Sequence, residues 1–434
     1  MSLRTPEKLR TLQRKLYTKA NQEPDFRFYS LIDKVCCRET LRHAWRLVRK
    51  NGGSPGVDDV TIEQIEERGV EKWLEEIEQE LGDGTYTANP VLRVTIPKPT
   101  GGQRKLGIPT LKDRVAQTAT KLVIEPIFEA DLADEAYGYR PKRSAKDAVE
   151  KVHQELMEGR TDVVDADLTS YFDTIPHDQL MQSVRRRISD GRILKLIKMW
   201  LEAPVVEEDN DGTRRGCSNP GQGTPQGGVI SPLLANIYIN RFLKFWSQQG
   251  LNRKLDARIV NYADDFVILT RGHAKEALEV TRRVMKAMGL TLNEQKTRLT
   301  DVSEETLEFL GYAYGWDYYK PNGRRYLSAR PAKSRVTRMK RKVKAWLGRN
   351  IHQRWGFVTH KLNQMLRGWA NYFSYGSVTK AYRTIDRYVY DRAVATLVRK
   401  HGREGRGKGQ WSKGVMYSQG GLRRLKDLKP TPHS

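Results

Sequence analysis

Two short runs of β-branched and aliphatic residues, Ile259-Val260 and Phe266-Val267-Ile268-Leu269, stand on either side of a brief polar step. Apolar runs of that length around turn-forming residues predict a hairpin of two buried strands. A third run, Val163-Val164-Asp165-Ala166-Asp167-Leu168, reads as a strand whose alternation sets Asp165 and Asp167 on one face. Helices are predicted over Val115 to Ala130, Ala145 to Glu158 and Val229 to Ile237. Val336, Met339 and Val343 give one dry face to a further helix over Lys333 to Lys344. Residues from Arg4 to about Lys50 read as helices of mixed charge, and Asn51 to Asp58 as a loop rich in chain breakers. Strands and helices interleave up to about Tyr326, which predicts antiparallel strands backed by helices.

Composition adds where a polyanion would lie. At 434 residues the chain exceeds one comfortable core, so two or three subdomains are expected. Its net charge is +25, unevenly spread: from Ser328 onward there are 26 Lys or Arg against 4 Asp or Glu, which leaves +3 for the first 327 residues. A near-neutral body followed by a cationic arm is the footprint of a phosphate-binding surface. Lys333, Arg335, Arg338, Lys340, Arg341, Lys342 and Lys344 place seven cations in twelve residues, and a merely solvated helix would alternate signs. These seven are the candidate contacts to a nucleic-acid backbone. From Arg399 the sequence turns to Gly, Lys and Arg around isolated Trp411 and Tyr417, which predicts a loosely ordered basic tail suited to an RNA backbone. Three cysteines, two of them adjacent at Cys36 and Cys37, suit neither a disulfide framework nor a zinc site and fit a reducing cytoplasm. No signal peptide, tandem repeat or bilayer-spanning apolar run is evident.

The chemistry is carried by carboxylates. Tyr262-Ala263-Asp264-Asp265 puts two acids at the tip of the predicted hairpin. Packing alone does not choose two like charges there, since each loses hydration and repels the other unless a cation lies between them. Asp is also a good turn residue. Asp167, borne by a strand, supplies a third acid of the kind that phosphoryl transfer uses to hold two Mg²⁺ about 4 Å apart.

In these blocks the chain resembles the group II intron reverse transcriptases, or intron maturases, over nearly its full length. Asp167 with Phe172 matches the first catalytic block and Tyr262 to Asp265 the second, and Gly223-Thr224-Pro225-Gln226-Gly227-Gly228-Val229-Ile230-Ser231-Pro232-Leu233-Leu234-Ala235-Asn236 is the most specific. Ile96-Pro97-Lys98-Pro99 with Arg104, Leu106-Gly107-Ile108-Pro109 and Lys112-Asp113-Arg114 matches the fingers block, and Tyr139-Arg140-Pro141-Lys142-Arg143-Ser144 the next. Gly289-Leu290-Thr291-Leu292-Asn293-Glu294-Gln295-Lys296-Thr297 and Phe309-Leu310-Gly311-Tyr312 complete the order, and Leu362 to Phe373 resembles the thumb, or maturase domain.

The resemblance implies an α/β (α+β) right-hand polymerase. It would have a helical extension over residues 1–50, fingers and palm over 51–327, a helical thumb over 328–398 and a basic RNA-binding tail over 399–434. It implies an RNA-directed DNA polymerase in which Asp167, Asp264 and Asp265, with Leu168 beside them, hold two Mg²⁺, Mn²⁺ being possible. The partners implied are a group II intron RNA, an RNA template with a DNA primer, dNTPs and a target DNA, in a bacterial cytoplasm and with no membrane.

Lys98 and Arg104 flank a Gly101-Gly102 turn and would swing onto the triphosphate. Phe172 would fill the space a ribose 2′-OH needs, although an aromatic there also suits a plain core. Gly227-Gly228 would let the backbone approach a nucleotide, with Pro225 and Gln226 against the incoming base or its template partner; a turn and helix cap is the competing reading. Lys296 would approach the leaving pyrophosphate, and Tyr262 with Ala263 would support the primer terminus. With no Cys/His cluster after the thumb-like segment, the chain resembles the short members that lack an endonuclease region. A maturase acting mainly as an RNA-folding splicing cofactor, and a reverse transcriptase co-opted for defence, are the alternatives.

Overall fold

Each apolar run becomes a strand or helix whose start is set by local chemistry. The computed structural model describes residues 3–97, 103–208, 214–217, 221–225, 227–319, 321–401 and 410–429. Among these the strands are β1 (Val91–Pro97), β2 (Gln103–Ile108), β3 (Asp162–Asp167), β4 (Val205–Glu208), β5 (Arg214–Cys217), β6 (Arg258–Tyr262), β7 (Asp265–Thr270), β8 (Arg298–Asp301), β9 (Leu307–Phe309), β10 (Tyr312–Tyr319) and β11 (Arg324–Pro331). They form three sheets in the orders β2-β1-β4-β5, β6-β7-β3-β8 and β11-β10-β9. Val163, Val164 and Ala166 of β3 and Phe266 to Leu269 of β7 are buried, so the middle sheet hides apolar side chains on both faces.

The predicted helices are present, those from Ala145 and Lys333 starting as expected and two with shifted starts. Over Val115 to Ala130 the helix is Leu111–Glu129, begun earlier because the Thr110 hydroxyl accepts the Asp113 N–H at 3.2 Å as an N-cap. The helix expected from Val229 is Ser231–Gln248, and Pro232 occupies its first turn, where the missing N–H does no harm. The freed Val229 N–H donates instead to Gln117 Oε1 at 2.9 Å. Residues Ala145–Met157 are helical, and the amino-terminal stretch holds helices Glu7–Gln22, Ile32–Val35 and Arg38–Asn51.

The chain divides into two compact units, one of Met1–Ser144, Ala166–Phe266 and Lys275–Thr297, the other of Ala145–Asp165, Val267–Ala274 and Arg298–Ser434. In the second, helices Lys333–Arg349, Trp355–Tyr372 and Thr379–Lys400 share a core that includes Val343, Leu362, Leu366, Ile385 and Val389. Burying an aliphatic side chain of this size contributes about 1.5–3 kcal/mol. Among the described residues no helix is long and apolar enough to cross a membrane.

The tail departs from expectation. Residues 410–429 are not loosely ordered: Met416, Leu422 and Leu425 are fully buried in the same core, and short helices form at Lys413–Ser418 and Leu425–Leu428. Trp355 Nε1 donates to the Gly420 carbonyl at 2.9 Å, and Asn363 Nδ2 to that of Gly421 at 2.7 Å. The Gly/Lys/Arg composition masked a sparse apolar spacing whose partners lie on helices far back in sequence.

Asp386 anchors this segment by accepting the Leu425 N–H at 3.1 Å, and burial pushes its carboxyl up to about 6, against that hydrogen bond. A carboxyl raised above its unfolded value stabilises the docked state while protonated. That contribution is complete below the ordinary value of 3.8 and is lost as pH rises through about 6. The midpoint of urea unfolding should therefore fall over that window. Asp386→Asn keeps an acceptor without the charge and should remove the slope. A slope persisting in the variant would exclude Asp386 as its source.

Candidate active site

A two-residue turn, Ala263-Asp264, joins β6 to β7. Ala263 is buried at φ 60°, a conformation that a non-glycine residue holds only when its surroundings impose it. The surroundings are visible. Asn261 Nδ2 donates to the Ala263 carbonyl at 2.9 Å, and the chain at 135–138 runs alongside, with Asn261 N–H donating to Glu135 O and Tyr137 N–H to Asn261 O, each at 2.8 Å. Gly138 touches the turn so closely that a Cβ there would lie 2.5 Å from the Ala263 nitrogen. Its own carbonyl accepts from Asn236 Nδ2 at 2.7 Å. Asp264 is thereby held half-buried and Asp265 exposed.

β3 lies beside β7 and delivers Asp167 at its end. The segment after Gly289 clamps that end: Asn293 N–H donates to the Asp167 carbonyl at 2.8 Å and Thr169 N–H to the Thr291 carbonyl at 2.9 Å. Asn293 then turns the chain, accepting the Gln295 N–H on its side chain and the Lys296 N–H on its carbonyl. This turn brings Lys296 Nζ to 2.8 Å from Asp167 Oδ2. The hydrogen bond to Asp167, followed by the charges of Asp167, Asp265 and Asp264, raises the Lys296 ammonium above the ordinary lysine value. All three acids therefore act on one cation.

Past β3, Ser170 sits at φ 47° and turns the chain into the short helix Tyr171–Thr174. Tyr171 Oη is tied to the Ala235 carbonyl at 2.6 Å, leaving Phe172 half-buried. The ring of Tyr139, itself at φ 54°, meets that of Phe172 edge-on at 6.3 Å between centroids. Burial, then the charges of Asp264 and Tyr262, raises the Tyr139 phenol. Of the seven non-glycine residues with positive φ among those described, Tyr139, Ser170 and Ala263 gather here, which concentrates backbone strain at the site.

The loop before helix Ser231–Gln248 lies along this segment. Thr224 N–H donates to Phe172 O at 2.6 Å and Gly223 N–H to Ile175 O at 2.8 Å, just before Pro225. The glycines also have close neighbours within the protein. The space beside Gly227 is filled by the Gly107 carbonyl of β2, 2.3 Å from where a Cβ would stand, and that beside Gly228 by Ser231 Oγ at 2.6 Å. Their close approaches are to protein backbone and side chain. β1 and β2 pair antiparallel, with Ile96 opposite Arg104, and Arg104 is exposed. Lys98 and Gln226 lie outside the described residues.

Of the seven candidate RNA contacts on helix Lys333–Arg349, Arg338 and Lys340 are half-buried and the other five exposed. Among the described residues none of the seven is ion-paired with a carboxylate, and Lys340 lies 5.5 Å over the Tyr388 ring.

Among the described residues no three His, Cys, Asp or Glu side chains form a ready-made metal cage. The donor set nonetheless suits a hard divalent cation, which takes oxygen ligands from one or two carboxylates together with substrate phosphates. The ammonium on Asp167 stands in for that cation. Leu168 is buried, so only its main-chain carbonyl is a candidate ligand. Gly138 and Asn261 went unread in the sequence, as did the contact of Asn236 with Gly138 and that of Tyr139 with Phe172, although a glycine between two tyrosines just before Arg140-Pro141 was a usable signal.

Residues 96–314 match the family model for reverse transcriptase (RNA-dependent DNA polymerase). The chain belongs to the reverse transcriptase family. Residues 336–414 match the group II intron maturase-specific domain, which makes this a group II intron type of reverse transcriptase with a right-hand polymerase fold. It is an RNA-directed DNA polymerase dependent on a divalent metal, and its matched regions carry the family's two roles, reverse transcription and group II intron splicing and retrohoming. Protein YkfC of Escherichia coli (strain K12) is 35% identical over 340 residues, covering 69% of this chain and 87% of that protein. Group II intron-encoded protein LtrA of Lactococcus lactis subsp. cremoris is 29% identical over 326 residues, 61% of this chain and 52% of LtrA, so the chain spans about half of that relative. A telomerase structure from Candida albicans aligns at a TM-score of 0.43 and 13% identity, over 81% of this chain and 70% of that one.

Proposed function

We propose that this reverse transcriptase extends a DNA primer on an RNA template with dNTPs, using Asp167, Asp264 and Asp265, and binds its group II intron RNA through the thumb cations. The reading is carried by one observation: acids far apart in sequence stand at the ends of neighbouring strands, where Lys296 Nζ pairs with Asp167 at 2.8 Å and also feels the charges of Asp265 and Asp264. Two Mg²⁺ seated on these carboxylates and the Leu168 carbonyl, with Mn²⁺ suited to the same oxygens, would lower the pKa of the primer 3′-OH and steady the departing pyrophosphate.

The chain's own residues do the rest. In the reaction the primer 3′-OH gives up its proton to solvent water and its oxygen bonds to the α-phosphorus as the bond to pyrophosphate breaks. Arg104 and Lys98 pair with the triphosphate, while Phe172, backed by Tyr139, occupies the space of a ribose 2′-OH. Pro225 and Gln226 lie against the incoming base or its template partner, and Tyr262 with Ala263 supports the primer terminus. Lys296 exchanges Asp167 for the arriving phosphates and keeps its proton beside the leaving group. Residues 1–50 are the extension, 51–327 fingers and palm, 328–398 the thumb and 399–434 a basic RNA-contacting segment. Target DNA is a further partner, and the bacterial cytoplasm is the setting.

The purified full chain, given an RNA template, a DNA primer, dNTPs and Mg²⁺, should make cDNA and should accelerate splicing of a group II intron RNA. Absence of dNTP incorporation with both Mg²⁺ and Mn²⁺ would overturn the reading. Phe172→Ala should raise ribonucleotide use relative to dNTP by about tenfold or more, since a steric exclusion is removed while the phosphate contacts stay. An unchanged ratio would make Phe172 part of the core only.

A further inference from the structure

Helix Ser231–Gln248, the short helix Leu251–Lys254, helix Ala274–Ala287 and Arg186 enclose a surface groove of about 630 Å³, every lining residue of which belongs to the first unit. Five of its lining side chains are cationic, namely Arg186, Arg241, Lys244, Lys254 and Arg283, and among the described residues no carboxylate lines it. Arg186, Lys254 and Arg283 are exposed, and among the described residues none of the three is ion-paired. Arg241 is held in place by Gln179 Oε1 at 2.9 Å and by the Tyr238 ring, 5.3 Å from its guanidinium carbon. Phe245, Leu251, Val280 and Val284 provide an apolar, partly aromatic floor. None of the residues assigned above to polymerisation lines the groove.

Five cations in one groove, with Asp131 the neighbouring acid that acts on Arg186 and Lys244, are unexpected in a body whose first 327 residues carry only +3. Like charges so gathered repel one another, and a bound polyanion relieves that repulsion. We infer that this groove is a second RNA-binding site, separate from the polymerase residues, that takes a single-stranded or bulged stretch of a structured RNA. The rim cations meet successive phosphates and release their counterions, while an unstacked base lies on the Phe245 floor. An RNA fits better than an acidic protein because the groove pairs spaced positive charges with an aromatic surface, the two features a nucleotide presents in complement. The inference rests on the reading that the chain binds a structured RNA, and assigns that RNA a second seat.

The test replaces the three exposed cations together, as Arg186→Gln/Lys254→Gln/Arg283→Gln and as the corresponding Glu triple. The probe is a labelled RNA hairpin carrying a short single-stranded bulge. At physiological salt the Kd should rise about tenfold in the Gln triple and further in the Glu triple, and the slope of log K against log salt should flatten by about 2. Primer extension on a short primer–template should stay within about twofold of wild type, and Arg186→Lys/Arg283→Lys should keep the affinity for the hairpin. An unchanged Kd and slope in triples that still extend primers would overturn the inference. So would loss of a dimer on sedimentation with RNA affinity intact, since the groove would then serve a second copy of the chain. Failure of wild type itself to extend primers would strike at the polymerase reading, and the hairpin affinities would still decide this one.

Discussion

Asp264→Ala/Asp265→Ala is expected to lower cDNA synthesis by about three orders of magnitude or more while leaving RNA affinity within about twofold. The separation follows from where the acids sit. Asp265 is exposed and Asp264 half-buried at a turn whose shape comes from Ala263, Asn261 and Gly138, so removing the two carboxylates takes away charge without removing packing. The cations of helix Lys333–Arg349, proposed to bind RNA, belong to the other unit, which has its own core. The loss should also be uneven between the two acids singly, because residues that serve one site do not contribute additively. Single-turnover extension of a labelled primer with saturating dNTP measures the first arm, and filter binding of the intron RNA the second. Loss of both activities together, with a lowered melting temperature, would mean that the pair is structural.

Lys296 sharpens this expectation. In the double variant two of the three acids that act on its ammonium are gone, but the hydrogen bond to Asp167 remains. The Asn293 turn that carries Lys296 is fastened to the end of β3 by main-chain bonds that no side-chain substitution disturbs. The variant should therefore melt close to wild type, which makes its loss of rate interpretable.

How far the site could be read from the chain depended on whether a feature is local. The hairpin was legible because Ile259-Val260 and Phe266 to Leu269 are strand-forming on their own, and Asp167 because β3 is a short apolar run ending in an acid. Helix Lys333–Arg349 was legible from its spacing, and its run of cations from charge counting. What escaped needs contacts between distant segments. Nothing in Gly227 or its neighbours says that its missing side chain makes room for the Gly107 carbonyl, over a hundred residues earlier. The docking of Met416, Leu422 and Leu425 was hidden by the surrounding charges, since a sparse apolar residue is recognisable as core only once its partners on helices Trp355–Tyr372 and Thr379–Lys400 are known. The cationic groove escaped for the same reason: its five charges come from separate stretches, and summing charge along the chain averages them with the acids between.

Gly138→Ala should reduce the polymerisation rate by about a hundredfold with little change in RNA affinity. Its added Cβ would meet the Ala263 nitrogen at 2.5 Å and the Tyr262 carbonyl carbon at 3.1 Å, both main-chain atoms that cannot swing aside as a side-chain tip can. Gly138 cannot retreat either, because its carbonyl is held from behind by Asn236, which is buried, and the preceding residues are bonded to β6. The part with room to move is the Ala263-Asp264 turn, already at φ 60° and open to solvent on the Asp265 side. Displacing reacting groups by about 1 Å costs about 10²-fold in rate. Overpacking of this kind also destabilises a fold by about 1–3 kcal/mol, so a modest drop in melting temperature should accompany the loss. Gly82→Ala, on helix Val70–Asp83 where a Cβ meets nothing within 4 Å, is the control and should leave the rate unchanged. If Gly138→Ala extends primers at the wild-type rate, then the turn tolerates the shift, and the strained Ala263 conformation has no bearing on where Asp264 and Asp265 must stand.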